Sequence, residues 1–268
     1  MKLQFYNSIT SQKEEFKPIS NNEVLVYGCG PTVYNAPHIG NFRTFVFYDL
    51  INRVLIQNGY TVRNVINITD IDDKIIDRIN NENVTFDDLT KKYERLFLDQ
   101  SALLNILPST INPRASEYIS DMIDFIKSLI EKGVAYKVNG NIFFDTKAYK
   151  KYGKFVNIDD ENLSTEDDEL GKRHPNDFAL WKAWKESDGQ ITWKSDWGNG
   201  RPAWHTECAV LGTELLGKSI DIHCGGIDLK FPHHENESAQ VEALLGNKFA
   251  NYWLHAEHLI FDSEKMSK

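Results

Sequence analysis

A short apolar run, Val24-Leu25-Val26-Tyr27, stops abruptly at Gly28-Cys29-Gly30-Pro31, and this break constrains the chain more than any other feature. It reads as a buried strand ending in a turn. Arg43 to Asn58 follows, apolar on nearly every side and ended by Gly59, which predicts a buried helix with a glycine stop. Tyr60 to Ile68 then returns as a β-rich strand through Thr61-Val62-Arg63-Asn64-Val65-Ile66. Strand, helix and strand in such close succession form a βαβ unit, so the expected class is α/β with a parallel sheet covered on both faces. Chemistry is then expected at the carboxyl ends of the strands.

From Pro113 the pattern changes. Ile119, Met122, Ile123, Ile126, Leu129 and Ile130 recur at helical spacing, and Val138-Asn139-Gly140-Asn141-Ile142 carries a hairpin signal. Strand and helix signals resume after the Trp- and Gly-rich stretch Trp193 to Trp204, with Ile220-Asp221-Ile222-His223 and a helix from His233 to Leu245. The sheet is therefore expected to be split: a first half in 1–112, an inserted α+β connective module in 113–200, and a second half in 201–268.

With 268 residues, 41% of them hydrophobic, the chain can bury a large core. Its net charge of -9 argues against coating nucleic acid by bulk electrostatics, although a local basic path remains compatible. Asp159-Asp160-Glu161 and Glu166-Asp167-Asp168-Glu169 read as a solvated acidic loop. The first residues hold no apolar run of signal or membrane length, and three scattered cysteines do not make a disulfide framework. A cytoplasmic protein with no membrane partner is the simplest reading.

Three constellations carry chemistry. Pro37-His38-Ile39-Gly40-Asn41 lies at the entry to the long helix, where free N–H groups and the helix dipole attract phosphate. Gly40 lets a nucleotide approach the backbone, and His38 and Asn41 can donate to phosphate oxygens. Its counterpart is Lys265-Met266-Ser267-Lys268, two cations flanking a hydroxyl, suited to stabilising charge on a triphosphate attacked at its α-phosphorus. The second constellation is Cys29, Cys208 and Pro232-His233-His234-Glu235-Asn236-Glu237, with His233 and Glu237 four apart on one helix face and two thiolates able to complete a tetrahedral metal site. His223, Cys224 and His234 are also competent ligands, and spacing does not choose among them. The third is Asn67 to Lys74 with Asp228, polar groups following strands, where Asp228 can accept from a ribose hydroxyl or an ammonium group. Gly212 to Ser219 matches G-x-x-x-x-G-K-S, but its order is helix then strand, so no helix N-terminus faces a phosphate held by Lys218.

Together these residues resemble the class I aminoacyl-tRNA synthetases, whose HIGH-type and KMSK-type loops flank a split Rossmann-type fold. Tyr27 to Tyr34, Asn67 to Lys74, Trp204-His205-Thr206-Glu207-Cys208 and Phe231 to Glu237 narrow the resemblance to the cysteinyl-tRNA synthetase family, over about Leu3 to Lys268. It implies Cys29, Cys208, His233 and Glu237 as ligands of one Zn2+ that receives the substrate thiolate. It also implies Gly30, Thr32, Thr69 and Trp204 beside L-cysteine, with His38, Gly40, Asn41, Asp228 and Lys268 around ATP and its Mg2+. His38, Asn41, Lys265 and Lys268 are the implied catalytic residues, the expected reaction is cysteinyl-adenylate formation and transfer to tRNA(Cys), and a monomer is expected.

Asn41 stands where many members have His, and Cys224 where the family usually has glycine, which would bring a thiol near the nucleotide or the metal. The sequence stops at Lys268, without the family's helical anticodon-binding region, so residues 1–268 are expected to hold zinc but to activate poorly. A related ligase that transfers cysteine to an amino sugar, and a non-catalytic RNA-binding derivative, are the rival readings.

Overall fold

The computed structural model describes residues 2–156, 171–262 and 264–266. The acidic run Asp159 to Glu169, and Ser267 and Lys268 of the last motif, lie outside the described residues.

Strand β3 (Glu23–Gly28), helix α1 (Ile39–Gln57) and strand β4 (Thr61–Ile66) form the expected βαβ unit. They follow a small antiparallel hairpin of β1 (Gln4–Asn7) and β2 (Gln12–Glu15). Helices α2 (Asp73–Glu82) and α3 (Phe86–Leu103) come next, then α4 (Ile119–Glu131) and five short strands: β5 (Ala135–Val138), β6 (Asn141–Phe144), β7 (Phe178–Ala183), β8 (Trp193–Ser195) and β9 (Gly198–Pro202). Helix α5 (Trp204–Leu216), β10 (Ile220–Gly226), α6 (Glu235–Leu245) and β11 (Ala250–Ala256) return the chain to the parallel sheet. A last antiparallel pair, β12 (Ile260–Phe261) and β13 (Glu264–Lys265), precedes Met266.

The parallel sheet has the order β11-β10-β3-β4. The chain leaves β3 towards β4 on one side and, after the antiparallel strands, returns as β10 on the other. This is a reversal of strand order, the place where open α/β sheets bind ligands. Register brings Gly28 level with Ile66 and with Cys224, so the loops carrying Cys29, Asn67 and Asp228 leave from one edge.

Alternation along each strand sorts side chains between two cores. Val24, Val26, Ile66, Ile222 and Cys224 pack with Phe42, Phe45, Tyr48, Ile51 and Leu55 of α1. Tyr27, Cys29 and Val65 pack on the opposite face with Cys208, Leu211, Val241 and Trp253. Two sequence expectations change here. Cys224 lies on the α1 side, away from the face that holds Cys29, and burial pushes its thiol up. Helix α1 is not buried all round: Val46, Leu50 and Ile56 are about half exposed (45–57%), because the sheet and α3 cover only one stripe of it.

The antiparallel sheet runs β5-β6-β7-β9-β8. Its first hairpin turns at Asn139 and Gly140, both at positive φ (50° and 83°), as the Asn-Gly pair predicts. Its core, with Ile142, Phe144, Phe178 and Leu180, continues into Val210 of α5 and Ala239 of α6, so the two sheets are joined by shared packing. The buried carboxylate of Asp177 braces this sheet, accepting from Tyr136 Oη (2.6 Å), Thr146 N (3.0 Å) and Thr146 Oγ1 (2.9 Å). Asp177→Ala strands these donors; urea unfolding should show a loss of about 3 kcal/mol or more, with Asp177→Asn losing less.

Candidate active site and metal centre

The glycine after β3 sets the site. A Cβ on Gly30 would stand 1.5 Å from the Asn67 carbonyl oxygen, so only glycine lets the loop after β3 lie against the loop after β4. The two loops are then joined by Gly30 N–H donating to Asn67 Oδ1 (2.9 Å), Thr69 N to Pro31 O (3.0 Å) and Val33 N to Thr69 O (3.1 Å). Asn67 Nδ2 donates to Thr69 Oγ1 (3.0 Å), and Asn67 Oδ1 lies 3.8 Å from Cys208 Sγ. Asn67 thus ties Gly30, Thr69 and Cys208 together through one buried amide. The sequence reading included Asn67 in a polar group but assigned it no role; its burial among these partners has no local sequence signal.

Cys29, Cys208, His233 and Glu237 converge, with one ligand atom from each within 4.8 Å of the others, and all four are buried. Cys29 comes from the end of β3 and Cys208 from α5. His233 sits in a wide turn over Lys230–His234 that leads into α6, so the α-helix proper starts at Glu235, two residues later than its sequence suggests. A second set, Cys29, His223, His234 and Glu237, meets the same criterion. The histidines of the two sets differ in their partners. His223 Nε2 is already paired with Glu237 Oε2 (2.8 Å), and His234 has its Nδ1 on His255 Nε2 (2.8 Å) and its Nε2 3.3 Å from Cys29 Sγ. His233 has neither ring nitrogen hydrogen-bonded, although its Nε2 lies 2.9 Å from Glu237 Oε1. A buried imidazole aimed at a carboxylate and two sulfurs, with no proton properly shared, suits a cation between them. His223 stands behind Glu237, the position from which an outer partner would orient a metal-binding carboxylate.

Charge is strongly redistributed at this centre. Burial raises the Cys29 thiol well above its usual range, and neighbouring Cys208 and Glu237 push the same way. For Cys208 burial opposes the thiolate, but the Cys29 thiol and the nearby His233 imidazole favour it more, bringing it down to about 6. Burial disfavours the Glu237 carboxylate and the His233 imidazolium alike, yet His223 and then His233 hold Glu237 down at about 2, and Glu237 followed by Cys208 holds His233 up at about 10. Burial keeps His234 and His255 neutral, the latter down to about 3.

A cavity of about 480 Å³ opens beside this centre, bordered by Cys29, Gly30, Thr32, Trp204, His38, Asn41 and Asp228. His38 is the N-cap of α1: its Nδ1 accepts from Gly40 N (3.1 Å), while Asn41 Oδ1 accepts from His38 N (3.0 Å). The Trp204 indole lies over His233, ring centres 4.1 Å apart. Thr69 is wholly buried behind Thr32, with which it forms a parallel bridge. The far motif reaches the same mouth: Lys265 Nζ pairs with Asp228 Oδ2 (2.9 Å), and a Cβ on Gly40 would be 3.2 Å from the Met266 carbonyl oxygen. The phosphate-loop look-alike does not form, since α5 ends at Leu216 and Gly217 at φ 99° leads directly into β10.

A direct test separates the two ligand sets. His233→Ala should abolish tight binding of a thiophilic divalent ion, whereas His223→Ala should weaken it by about 10–100-fold, as read by competition with a chromogenic chelator. Because the Cys29 thiol is protonated near neutral pH in the metal-free chain, binding should release protons and tighten as pH rises.

Residues 15–268 match the family of tRNA synthetases class I (C) catalytic domain. A relative named Cysteine--tRNA ligase from Brachyspira hyodysenteriae is 48% identical over 270 residues, covering 98% of this chain and 57% of that protein. One of the same name from Finegoldia magna is 51% identical, covering 99% and 58%. The chain thus spans little more than half the length of these relatives. Among solved structures, a Mycobacterium tuberculosis methionyl-tRNA synthetase in complex with methionyl-adenylate shares the fold at TM-score 0.64 and 13% identity, over 88% of this chain and 57% of that one. No helix among the described residues is long and apolar enough to cross a membrane. The sheet order, the two loops meeting at one cavity and the match over nearly the whole sequence place this chain in the class I (C) tRNA synthetase catalytic-domain family.

Proposed function

We propose that the chain activates L-cysteine with ATP to cysteinyl-adenylate and passes the cysteinyl group to tRNA(Cys). The observation that carries this reading is the two-sulfur, imidazole and carboxylate set at the edge of the same cavity that His38, Asn41 and Asp228 border. Cys29, Cys208, His233 and Glu237 would hold the ion. Zn2+, which accepts this mixed donor set, supplies when bound a ligand position that prefers sulfur to a hydroxyl. Gly30 and Thr32 border the amino acid, Thr69 backs Thr32 from behind, and Trp204 screens the substrate from water.

The substrate carboxylate oxygen attacks the α-phosphorus of ATP, and pyrophosphate leaves with the bonding electrons. His38, Gly40 and Asn41 at the α1 N-terminus receive the phosphates, where unpaired N–H groups and the helix dipole favour negative charge. Lys265, joined by Lys268, stabilises charge building on the triphosphate, whose Mg2+ accompanies it as part of the substrate. Asp228 accepts from ribose hydroxyls. The chain acts as a cytoplasmic monomer in this reading.

Cysteine and serine differ by one atom, and a pocket that reads shape alone separates such analogues by about 10–200-fold. Direct sulfur ligation supplies more, which removes the need for an editing site in the insertion. Cysteine-dependent ATP–pyrophosphate exchange is the deciding assay: the zinc-loaded protein should exchange with cysteine and discriminate against serine by about 10⁴-fold or more, roughly 5.5 kcal/mol. No exchange, or equal exchange with serine, sinks the reading. Lys265→Ala should cut the exchange rate by about 10²-fold while leaving bound zinc unchanged.

A further inference from the structure

The face of the parallel sheet that holds Cys29 gathers more than metal donors. Alternation turns His223 and Gly225 of β10 and Trp253 and His255 of β11 to this face, with Gly225 level with His255. The missing side chain of Gly225 makes room for the ring of His234: a Cβ there would stand 2.3 Å from His234 Cε1 and 2.6 Å from its Nε2. The rings of Trp253 and His223, with centres 5.1 and 4.5 Å away, close the slot. Seated in this way, His234 has a partner at each nitrogen. Its Nε2 lies 3.3 Å from Cys29 Sγ, and its Nδ1 lies 2.8 Å from His255 Nε2. His255 Nδ1 in turn lies 2.7 Å from Ser8 Oγ. Ser8 follows β1 and is clamped to β11, since Ser8 N–H donates to Trp253 O (2.9 Å) and Trp253 N–H donates to Asn7 Oδ1 (3.2 Å). A continuous line of polar contacts therefore runs from a sulfur of the metal set to the turn of the N-terminal hairpin.

Hydrogen-bonding capacity gives this line a direction. Burial keeps both imidazoles neutral, so each ring has one N–H donor and one acceptor nitrogen. A metal-bound thiolate can only accept. With Cys29 Sγ accepting from His234 Nε2–H, His234 Nδ1 must accept from His255 Nε2–H, and His255 Nδ1 must accept from the Ser8 hydroxyl. Ser8 is the member of the line whose hydrogen can rotate, so its choice sets the tautomer of both rings. We propose that Ser8, His255 and His234 are positioning residues for the metal centre, joined in a line of three hydrogen bonds that ends as an N–H donor on the Cys29 sulfur. The inference rests on the metal reading above and names what supports one of its ligands from behind. An N–H on the sulfur fixes its direction and draws charge from it, so an ion held there keeps more of its affinity for an incoming substrate thiolate. The opposite arrangement, with both ring hydrogens on Nδ1, would aim the bare lone pair of His234 Nε2 at the thiolate and repel it.

The tautomers can be read directly. In the unaltered, zinc-loaded chain labelled with ¹⁵N-histidine, long-range ¹H–¹⁵N correlations should show the Nε2–H form for both His234 and His255, with the peaks assigned by their loss in His234→Gln and His255→Gln. The Nδ1–H form on either ring overturns the proposal. Ser8→Ala removes the first donor of the line. With Co2+ as the bound ion, Ser8→Ala should move the sulfur-to-metal charge-transfer band to lower energy, because a thiolate without its N–H is a stronger donor, and should weaken ion binding by about 10-fold. Ser8→Thr, which keeps the hydroxyl, should restore both. A band unmoved in Ser8→Ala overturns the proposal whatever the affinity does, since a loosened hairpin would weaken binding without changing the sulfur. A chain that takes up neither ion counts against the metal reading and takes this inference with it, whereas a loaded chain with Nδ1–H rings overturns this inference alone.

Discussion

The approach of Gly30 to the Asn67 carbonyl is the constraint on which the site depends. Two parallel strands end level with one another, and their loops would normally diverge. Here the missing side chain at Gly30 lets them zip together through backbone hydrogen bonds and the buried Asn67 amide. Cys29 is therefore held between a strand end and a neighbouring loop, with little freedom left to its backbone. A metal centre gains from this, because donor atoms fixed in advance lose little entropy on binding. The same amide reaches Thr69 and Cys208, so the loop after β4 and one sulfur of the candidate metal set share one support.

Strand alternation does the sorting that the ligand list cannot. Around β10 the sequence offers His223, Cys224 and His234, all able to bind a metal, and adjacent residues look equivalent on paper. On a pleated strand His223 and Cys224 must face opposite ways. His223 reaches Glu237 beside the metal set, and Cys224 enters the core against α1. The thiol at that position is thereby turned away from the candidate metal set, and burial disfavours its thiolate, the nucleophilic form.

Much of this was legible in the sequence. The βαβ unit, the Asn-Gly hairpin and the failed phosphate loop all follow from local chemistry: apolar period, turn residues and the order of helix and strand. The convergence of Cys29, Cys208, His233 and Glu237 was indicated by residue type but not by geometry, since the choice against His223 and His234 depends on which nitrogens already have partners. Helix α1 misled because apolar residues all round suggest full burial, while the sheet and α3 reach only one side of it. The wide turn before α6 was hidden because a helical spacing of four survives across it. A further cavity, of about 460 Å³ beside the first, had no signal at all: its lining comes from residues scattered between Ile71 and Asn236, brought together only when the two sheets pack.

The ion pair between Lys265 and Asp228 carries a consequence for the order of events at the cavity mouth. Both side chains are about half exposed (55% and 52%), so the pair is worth about 1 kcal/mol or less, and the β12–β13 hairpin, not this contact, sets where the lysine stands. Asp228 cannot serve the lysine and a sugar hydroxyl equally well at the same moment. Under the proposed function, a nucleotide whose ribose claimed the aspartate would release the ammonium group towards its own phosphates. The two ends of one ligand would then be in communication through a single carboxylate, and the lysine would be handed over at almost no energetic cost.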